Sequence, residues 1–517
     1  MSDKEVGKPK FGKIRSVLWP IHNFELKKFL PMGIMMICIL FIYTLCRDLK
    51  DTLVQTCATG GGSEMLSALK TWFVLPISFA FMAVFMKMSN KFSSQQMFYG
   101  VLTFFVIFYA LFGFVLFPNI KYLHASIETI TNLRQKFPWL YWIIPCFTNW
   151  TITLAYVIAE LWGTAVIGLL YWQFANEITK TSEAPRFYSL FGMIGNFGLI
   201  ASGEFVERLS KKAADQVGAN QVIAFGQNLK WQMSFVIFFG ISIMFIYAWM
   251  QKNVLGDPKF YSCEGNKNKK KKKKPKMGVM SGLKYVCTDV YVLLIAALVF
   301  SYGMSTVLIE QIWKSQVRVQ YPGSNEYNAF MGGYSKRVGI LTILLMIVGT
   351  NILKSCKWRT TALITPLFTG LGAILLFIIM IYKEHAAENI LIFGQSLLNA
   401  CVWVGAYQVG CIKGVKYSMF DSTKNMAYLP LDSDAKLKSQ AAVEVVGSRL
   451  GKSGASTLIV ILTNFVAPGS KITTPINMRI IMAASLIVVV LWTVSVVKIN
   501  PSVVKKLEEK ALEEKCA

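Results

Sequence analysis

Four charged residues fall where a lipid-embedded chain should carry none. Lys50 closes an apolar stretch in Tyr43-Thr44-Leu45-Cys46-Arg47-Asp48-Leu49-Lys50-Asp51. Glu160 interrupts Ala155-Tyr156-Val157-Ile158-Ala159-Glu160-Leu161-Trp162, Glu310 lies in Thr306-Val307-Leu308-Ile309-Glu310-Gln311-Ile312-Trp313, and Lys452 in Leu450-Gly451-Lys452-Ser453-Gly454. A charge at membrane depth costs about 3 kcal/mol on insertion scales, so such residues face a bundle interior or a watery cavity. Lysines are point charges suited to phosphate oxygens. Carboxylates pair with them in an empty site and are displaced by a ligand anion or neutralised by a proton, which makes Glu160 and Glu310 the coupling candidates. Either event gives a differential interaction between two conformations, as alternating access requires. Arg337 and Lys336, and Arg449 one turn before Lys452, extend the positive lining. Structural ion pairs between helices are the alternative reading.

The elements that hold these charges must be membrane helices. The chain has 517 residues, 54% hydrophobic and only 16% charged, against about 25% charged in soluble proteins. The net charge of +26 does not imply a nucleic-acid partner. Lys and Arg concentrate at the N-terminus, in the Lys269-Lys270-Lys271-Lys272-Lys273-Lys274 run and in the C-terminal tail, positions the positive-inside rule assigns to the cytoplasm. The ten cysteines contain no CxxC pair and there are three histidines, so no metal site, cofactor or catalytic constellation is expected. The basic start lacks an apolar signal core, and a bacterial cytoplasmic membrane fits it best.

Apolar runs of membrane-spanning length predict helices near 29–46, 71–88, 97–117, 150–175, 187–206 and 233–250, then 290–312, 338–353, 362–382, 390–412, 441–466 and 476–497. A short interfacial helix is expected at 139–145. The chain thus divides into a cytoplasmic segment 1–28, a six-helix half 29–250, a basic cytoplasmic loop 251–285, a second half 286–498 and a cytoplasmic tail 499–517. Lys87/Lys91, Lys180/Arg186, Lys354/Lys357/Arg359 and Lys413/Lys416/Lys424 read as further cytoplasmic connections. The expected fold is an all-α membrane protein of 12 transmembrane helices in two six-helix halves, of major-facilitator type, working as a monomer in the bilayer. In that layout the halves rock about a central site, and the four misplaced charges fall on spans 1, 4, 7 and 11, which line it.

Aromatics near these charges (Tyr156, Trp162, Phe191, Tyr302, Trp313) could stack a base. Gly192, Gly195, Gly198 and Gly203 suit close helix packing. Gly447-Ser448-Arg449-Leu450-Gly451-Lys452-Ser453 imitates a phosphate-binding loop but is one residue too short and lies in an apolar helix without a preceding strand. With no ATPase cassette, transport would be driven by gradients.

The same residues carry a family resemblance. Phe11-Gly12-Lys13-Ile14-Arg15, Arg47-Asp48-Leu49-Lys50-Asp51-Thr52-Leu53, Ala159-Glu160-Leu161-Trp162-Gly163, Trp172-Gln173-Phe174-Ala175-Asn176-Glu177, Phe420-Asp421-Ser422-Thr423-Lys424-Asn425, Pro430-Leu431-Asp432 and Leu450-Gly451-Lys452-Ser453-Gly454 resemble the ATP/ADP translocases of plastids and obligate intracellular bacteria. The resemblance implies carriage of nucleotides, commonly host ATP for bacterial ADP, with Lys50, Glu160, Glu310 and Lys452 at the functional positions. The sequence departs from the usual pattern at Gln55, Val307, Ser335-Lys336-Arg337 and Ala455-Ser456. Related members take other cargoes. Proton-coupled net import of nucleoside triphosphates, with protons or phosphate as partners, and a non-nucleotide organic-anion carrier therefore stand beside ATP/ADP exchange.

Overall fold

Inside lipid a backbone has no water to bond, so apolar runs of this length must close their hydrogen bonds as helices. The computed structural model describes residues 21–179, 183–215, 220–255, 288–385, 391–392, 394–428, 443 and 447–516. Most of the basic loop, the first 20 residues with the Phe11–Arg15 motif, Pro430-Leu431-Asp432 and parts of the 441–466 prediction lie outside the described residues.

Ten helices among the described residues are long and apolar enough to cross a membrane: α1 Asn23–Cys57, α2 Ser63–Ser89, α3 Ser94–Leu116, α4 Trp150–Ile178, α5 Arg186–Ala214, α6 Ile223–Asn253, α7 Val290–Gln320, α8 Ser324–Leu353, α9 Trp358–His385 and, last in the chain, Pro475–Lys505. Two more polar helices stand between the last two: α10 Leu397–Val415, which runs through a π-helical turn Lys416–Phe420 into Asp421–Tyr428, and α11 Ser448–Val460, which ends in a π-helical turn Ile461–Val466. Pro475–Lys505 is then α12.

Starts follow local chemistry. Ser93, Asp289 and Ser396 side chains accept hydrogen bonds from the otherwise orphaned first N–H groups of α3, α7 and α10. The tenth element begins at Leu397 rather than near 390, because Leu391–Ile392 pairs with Gln395–Ser396 in a small hairpin whose turn includes Gly394 at φ +75°. The expected helix at 139–145 is instead a 3-10 turn Pro138–Leu140 followed by Ile144–Thr148, each with a proline where no backbone donor is needed.

Two apolar cores form, one from residues of the first half joined by Val460 and one entirely from the second half. Outward faces are equally apolar. Phe104, Ile107, Leu111 and Phe114 on α3, and Leu367, Leu371, Leu375 and Ile378 on α9, are exposed at helical spacing, as a surface solvated by hydrocarbon requires. Across the halves, α5 and α8 meet most extensively. Gly203 and Gly332 make this possible: a Cβ on Gly203 would stand 2.5 Å from the backbone N of Lys336, and one on Gly332 2.7 Å from that of Glu207.

Candidate functional site

Consecutive helix residues point about 100° apart, so Lys50 and Asp51 can serve different neighbours. Lys50 reaches α4. Its Nζ lies 3.0 Å from Glu160 Oε1, 2.8 Å from Asp51 Oδ1 and 4.0 Å from the centre of the Tyr156 ring. Asp51 turns to the other half, where its Oδ2 accepts a 2.7 Å bond from Lys314 Nζ on α7. Lys314 also lies 3.0 Å from Glu310 Oε1 one helical turn earlier, and Glu310 accepts from Lys413 Nζ of α10 at 3.0 Å. The result is a continuous ladder, Glu160–Lys50–Asp51–Lys314–Glu310–Lys413, alternating in sign through four helices. Its middle is sealed, with Asp51 2% and Lys314 5% exposed, while Glu160 at its end is 33% exposed.

Three lysines and three carboxylates make the ladder neutral, which lowers the desolvation cost of burying it. Further cations stand beside it. Lys70, at the start of a π-helical turn Lys70–Val74 in α2, lies within electrostatic reach of Lys50, Asp51, Glu310 and Lys314. Arg449 donates to Thr164 Oγ1 at 3.4 Å and lies 5.9 Å from the Phe79 ring. Lys452 is exposed and its charge reaches Glu160 without a bond. The buried hydroxyls of Tyr156, Tyr327 and Tyr334 have no hydrogen-bond partner among the described residues, and such atoms ordinarily find one. The site therefore combines surplus positive charge with idle donors.

Beyond the ladder, toward the end of the bundle opposite the chain termini, polar bonds clasp the halves together. Ser335 Oγ donates to Asp48 Oδ2 at 2.5 Å and accepts from Arg47 at 2.8 Å. Thr52 bonds Asn328 at 3.2 Å, and Lys336 bridges Glu204 and Glu207 at 2.7 and 2.6 Å. Furthest out, Glu64 accepts from the backbone N–H of Ile472 at 2.7 Å, and the backbone N–H of Trp142 donates to Asn464 at 2.9 Å.

Of the sequence-predicted residues, the structure brings Lys50, Glu160 and Glu310 into one network, with Arg449 and Lys452 at its margin. Arg337 is not among them: it is exposed on the outer side of α8, its guanidinium 4.8 Å from the centre of the Trp403 ring. Lys413 corrects the reading that made it a connection, since it sits inside α10 and bonds Glu310. Asp51, Lys314, Lys413 and Lys70 are the additions sequence reasoning missed, although Lys314 follows Glu310 at the i, i+4 spacing that pairs charges on a helix.

The aromatic candidates are committed elsewhere. Trp162 and Trp313 donate to the carbonyls of Ile39 and Val402, Phe191 stacks on Phe29, and Tyr302 stacks on Phe420. The imitation phosphate loop is a helix-packing device, because a Cβ on Gly451 would stand 2.4 Å from the carbonyl oxygen of Phe300. The departures from the family pattern avoid the ladder: Gln55 bonds Ser63, Val307 is core, Ser335 and Lys336 belong to the clasp, and Ser456 bonds its own helix.

The fold resembles solved transporters of major-facilitator architecture. A D-xylose–proton symporter superposes with a TM-score of 0.55 at 10% identity, over 91% of this chain and 97% of that one. A bacterial homologue of the iron transporter ferroportin gives 0.54 at 11%, over 93% and 100%. Sequence similarity is far closer elsewhere. ADP,ATP carrier protein 1 of Chlamydia pneumoniae is 42% identical over 95% of this chain and 94% of that protein. ADP,ATP carrier protein 1 of Rickettsia prowazekii is 39% identical over 95% and 96%. The family described as TLC ATP/ADP transporter matches residues 4–502. This chain, with its charge ladder strung between two helical halves, belongs to that family.

Proposed function

We propose that this secondary transporter exchanges ATP for ADP across a bacterial cytoplasmic membrane, with both termini in the cytoplasm and the clasped end facing outward. The relatives' names supply the cargo. The observation that carries the mechanism is the ladder with its one bond across the halves, Asp51 to Lys314. In this reading Lys50 and Lys452 hold the polyphosphate and Lys314 joins them. Phosphate oxygens replace Asp51 and Glu160 on the lysines, so the cross-half bond and the clasp behind it release together. An empty carrier keeps the ladder closed, because separating its members would leave buried charges unpaired. That makes reorientation depend on cargo, which is the basis of exchange. Arg449 and Lys70 add attraction for the anion, and Glu160 and Glu310 restore neutrality when it leaves.

Exchange and net import separate cleanly in vesicles. With the purified chain in liposomes, labelled ATP should enter only where ADP has been loaded inside, and a protonophore should leave the rate unchanged. Uptake into empty vesicles that a protonophore abolishes would replace exchange with proton-coupled import. Uptake that neither ATP, ADP nor another nucleotide competes would point to a different organic anion.

A further inference from the structure

Arg337 is the charge the nucleotide path does not use. It stands about 20 Å along α8 from Ser324 at 1.5 Å per residue, so its Cα lies well inside the hydrocarbon. Its side chain is exposed, on the same outward strip as Ile340 at 46% and Leu344 at 55%. Among the described residues no carboxylate pairs with it. Its guanidinium instead lies 4.8 Å from the ring centre of Trp403, a residue near the start of α10. Helical side chains lean toward the N-terminus, so the arginine snorkels toward the end where α8 and α10 begin. A groove of about 290 Å³ runs from it between α8 and α10, walled by Leu341, Leu344, Tyr407 and Gly410.

We propose that this groove is a binding site for an anionic phospholipid, with the headgroup phosphate on Arg337 and an acyl chain along the apolar walls. A cation held in hydrocarbon needs an anion, and an anion joined to a long apolar tail is what complements both parts of the site. A nucleotide fits it poorly. Beyond its single arginine the groove offers apolar walls, and Arg337 bonds no member of the ladder. The guanidinium supplies a planar fork for phosphate oxygens while its back face keeps the Trp403 ring.

The purified full chain, delipidated in a neutral detergent, would be titrated with phosphatidylglycerol or phosphatidylcholine, and bound lipid counted by mass spectrometry of the intact complex. Phosphatidylglycerol should be retained preferentially. Arg337→Gln should weaken that retention about fivefold, from a contribution of about 1 kcal/mol per basic residue against anionic lipid, and Arg337→Lys should lose less. Leu344→Trp fills the groove and leaves the arginine, so it should also expel the lipid; it serves as the second variant should Arg337→Gln fold poorly. Equal retention of the two lipids by the wild-type chain overturns the proposal, as does undiminished phosphatidylglycerol binding in both variants. Displacement of the bound lipid by ATP would instead assign Arg337 to the nucleotide.

Discussion

The two halves build their part of the site from equivalent helices but with opposite signs. In the first half α1 supplies a lysine and α4 a carboxylate: Lys50 holds Glu160, and also Asp51. In the second half α7 supplies the carboxylate and α10 the lysine: Glu310 holds Lys413, and also Lys314. One half centres a cation between two anions, and the other an anion between two cations. The repeat therefore fixes where charge is placed, while its sign is free to invert. Inversion makes the halves electrostatic complements, so that Asp51 of one can meet Lys314 of the other.

Removing the central member of each half should push the carrier in opposite directions. Lys50→Ala leaves Glu160 and Asp51 facing one another without their cation and takes a positive charge from the phosphate path. Breaking a buried pair in this way costs about 3–5 kcal/mol, so kcat/KM for exchange should fall more than a hundredfold, with KM raised. Steady-state kinetics in ADP-loaded liposomes measures it. A loss below tenfold would mean that Lys50 is a structural partner and no more.

Glu310→Gln is the opposing experiment and should have the smaller effect. It leaves Lys314 and Lys413 without their shared carboxylate, so the site becomes more positive and should grip the anion more tightly. Release then slows: KM should fall severalfold while kcat falls about tenfold, the sign of a lost interaction that had balanced the ligand-free state. Should KM rise as it does for Lys50→Ala, the two halves would not be electrostatic opposites in function.

How far these features could be read beforehand depended on the physics of each. Lys50, Glu160 and Glu310 were legible because charge at membrane depth is costly and therefore purposeful. The two-half architecture was legible from apolar run length, and Lys314 could have been, from its spacing to Glu310. Lys413 was hidden because counting basic residues near span ends treats every such lysine as a connection, whereas α10 carries its charge inside the helix. Arg337 failed for a complementary reason. Ser335, Lys336 and Arg337 are consecutive, so turns of about 100° send the first two to the opposite half and the third to lipid; residue type alone does not say which. The ends of α4, α10 and α11 pass through π-helical turns, which shift the facing of everything beyond them and have no sequence signature.

The halves are least alike at their outer connections, and a mild substitution there tests whether that difference matters. The first half sends a long segment over the clasped end between α3 and α4. Near its start it is anchored by His124, whose Nε2 lies 2.7 Å from Thr151 Oγ1 and whose imidazole burial pushes down to about 4, so it stays neutral at working pH. It is braced by Arg134, which donates to the carbonyl of Gly60 at 2.7 Å and packs 4.0 Å from the centre of the Tyr141 ring. At its tip Trp142 touches the second half twice, through its backbone N–H to Asn464 and through its indole N–H to the carbonyl of Ser470 at 3.1 Å. Trp142→Phe keeps the backbone bond and the ring's packing and removes only the indole donor, so the clasp should weaken by about 0.5–1.5 kcal/mol. If clasp opening limits turnover, exchange should quicken by a fewfold with KM nearly unchanged, because no ladder residue has moved. A labelled cysteine at Ser470 should react faster from the outside in the same variant. Unchanged labelling and unchanged exchange would mean that the ladder alone holds the outer end shut, and that the long segment of the first half is a brace without a share in gating.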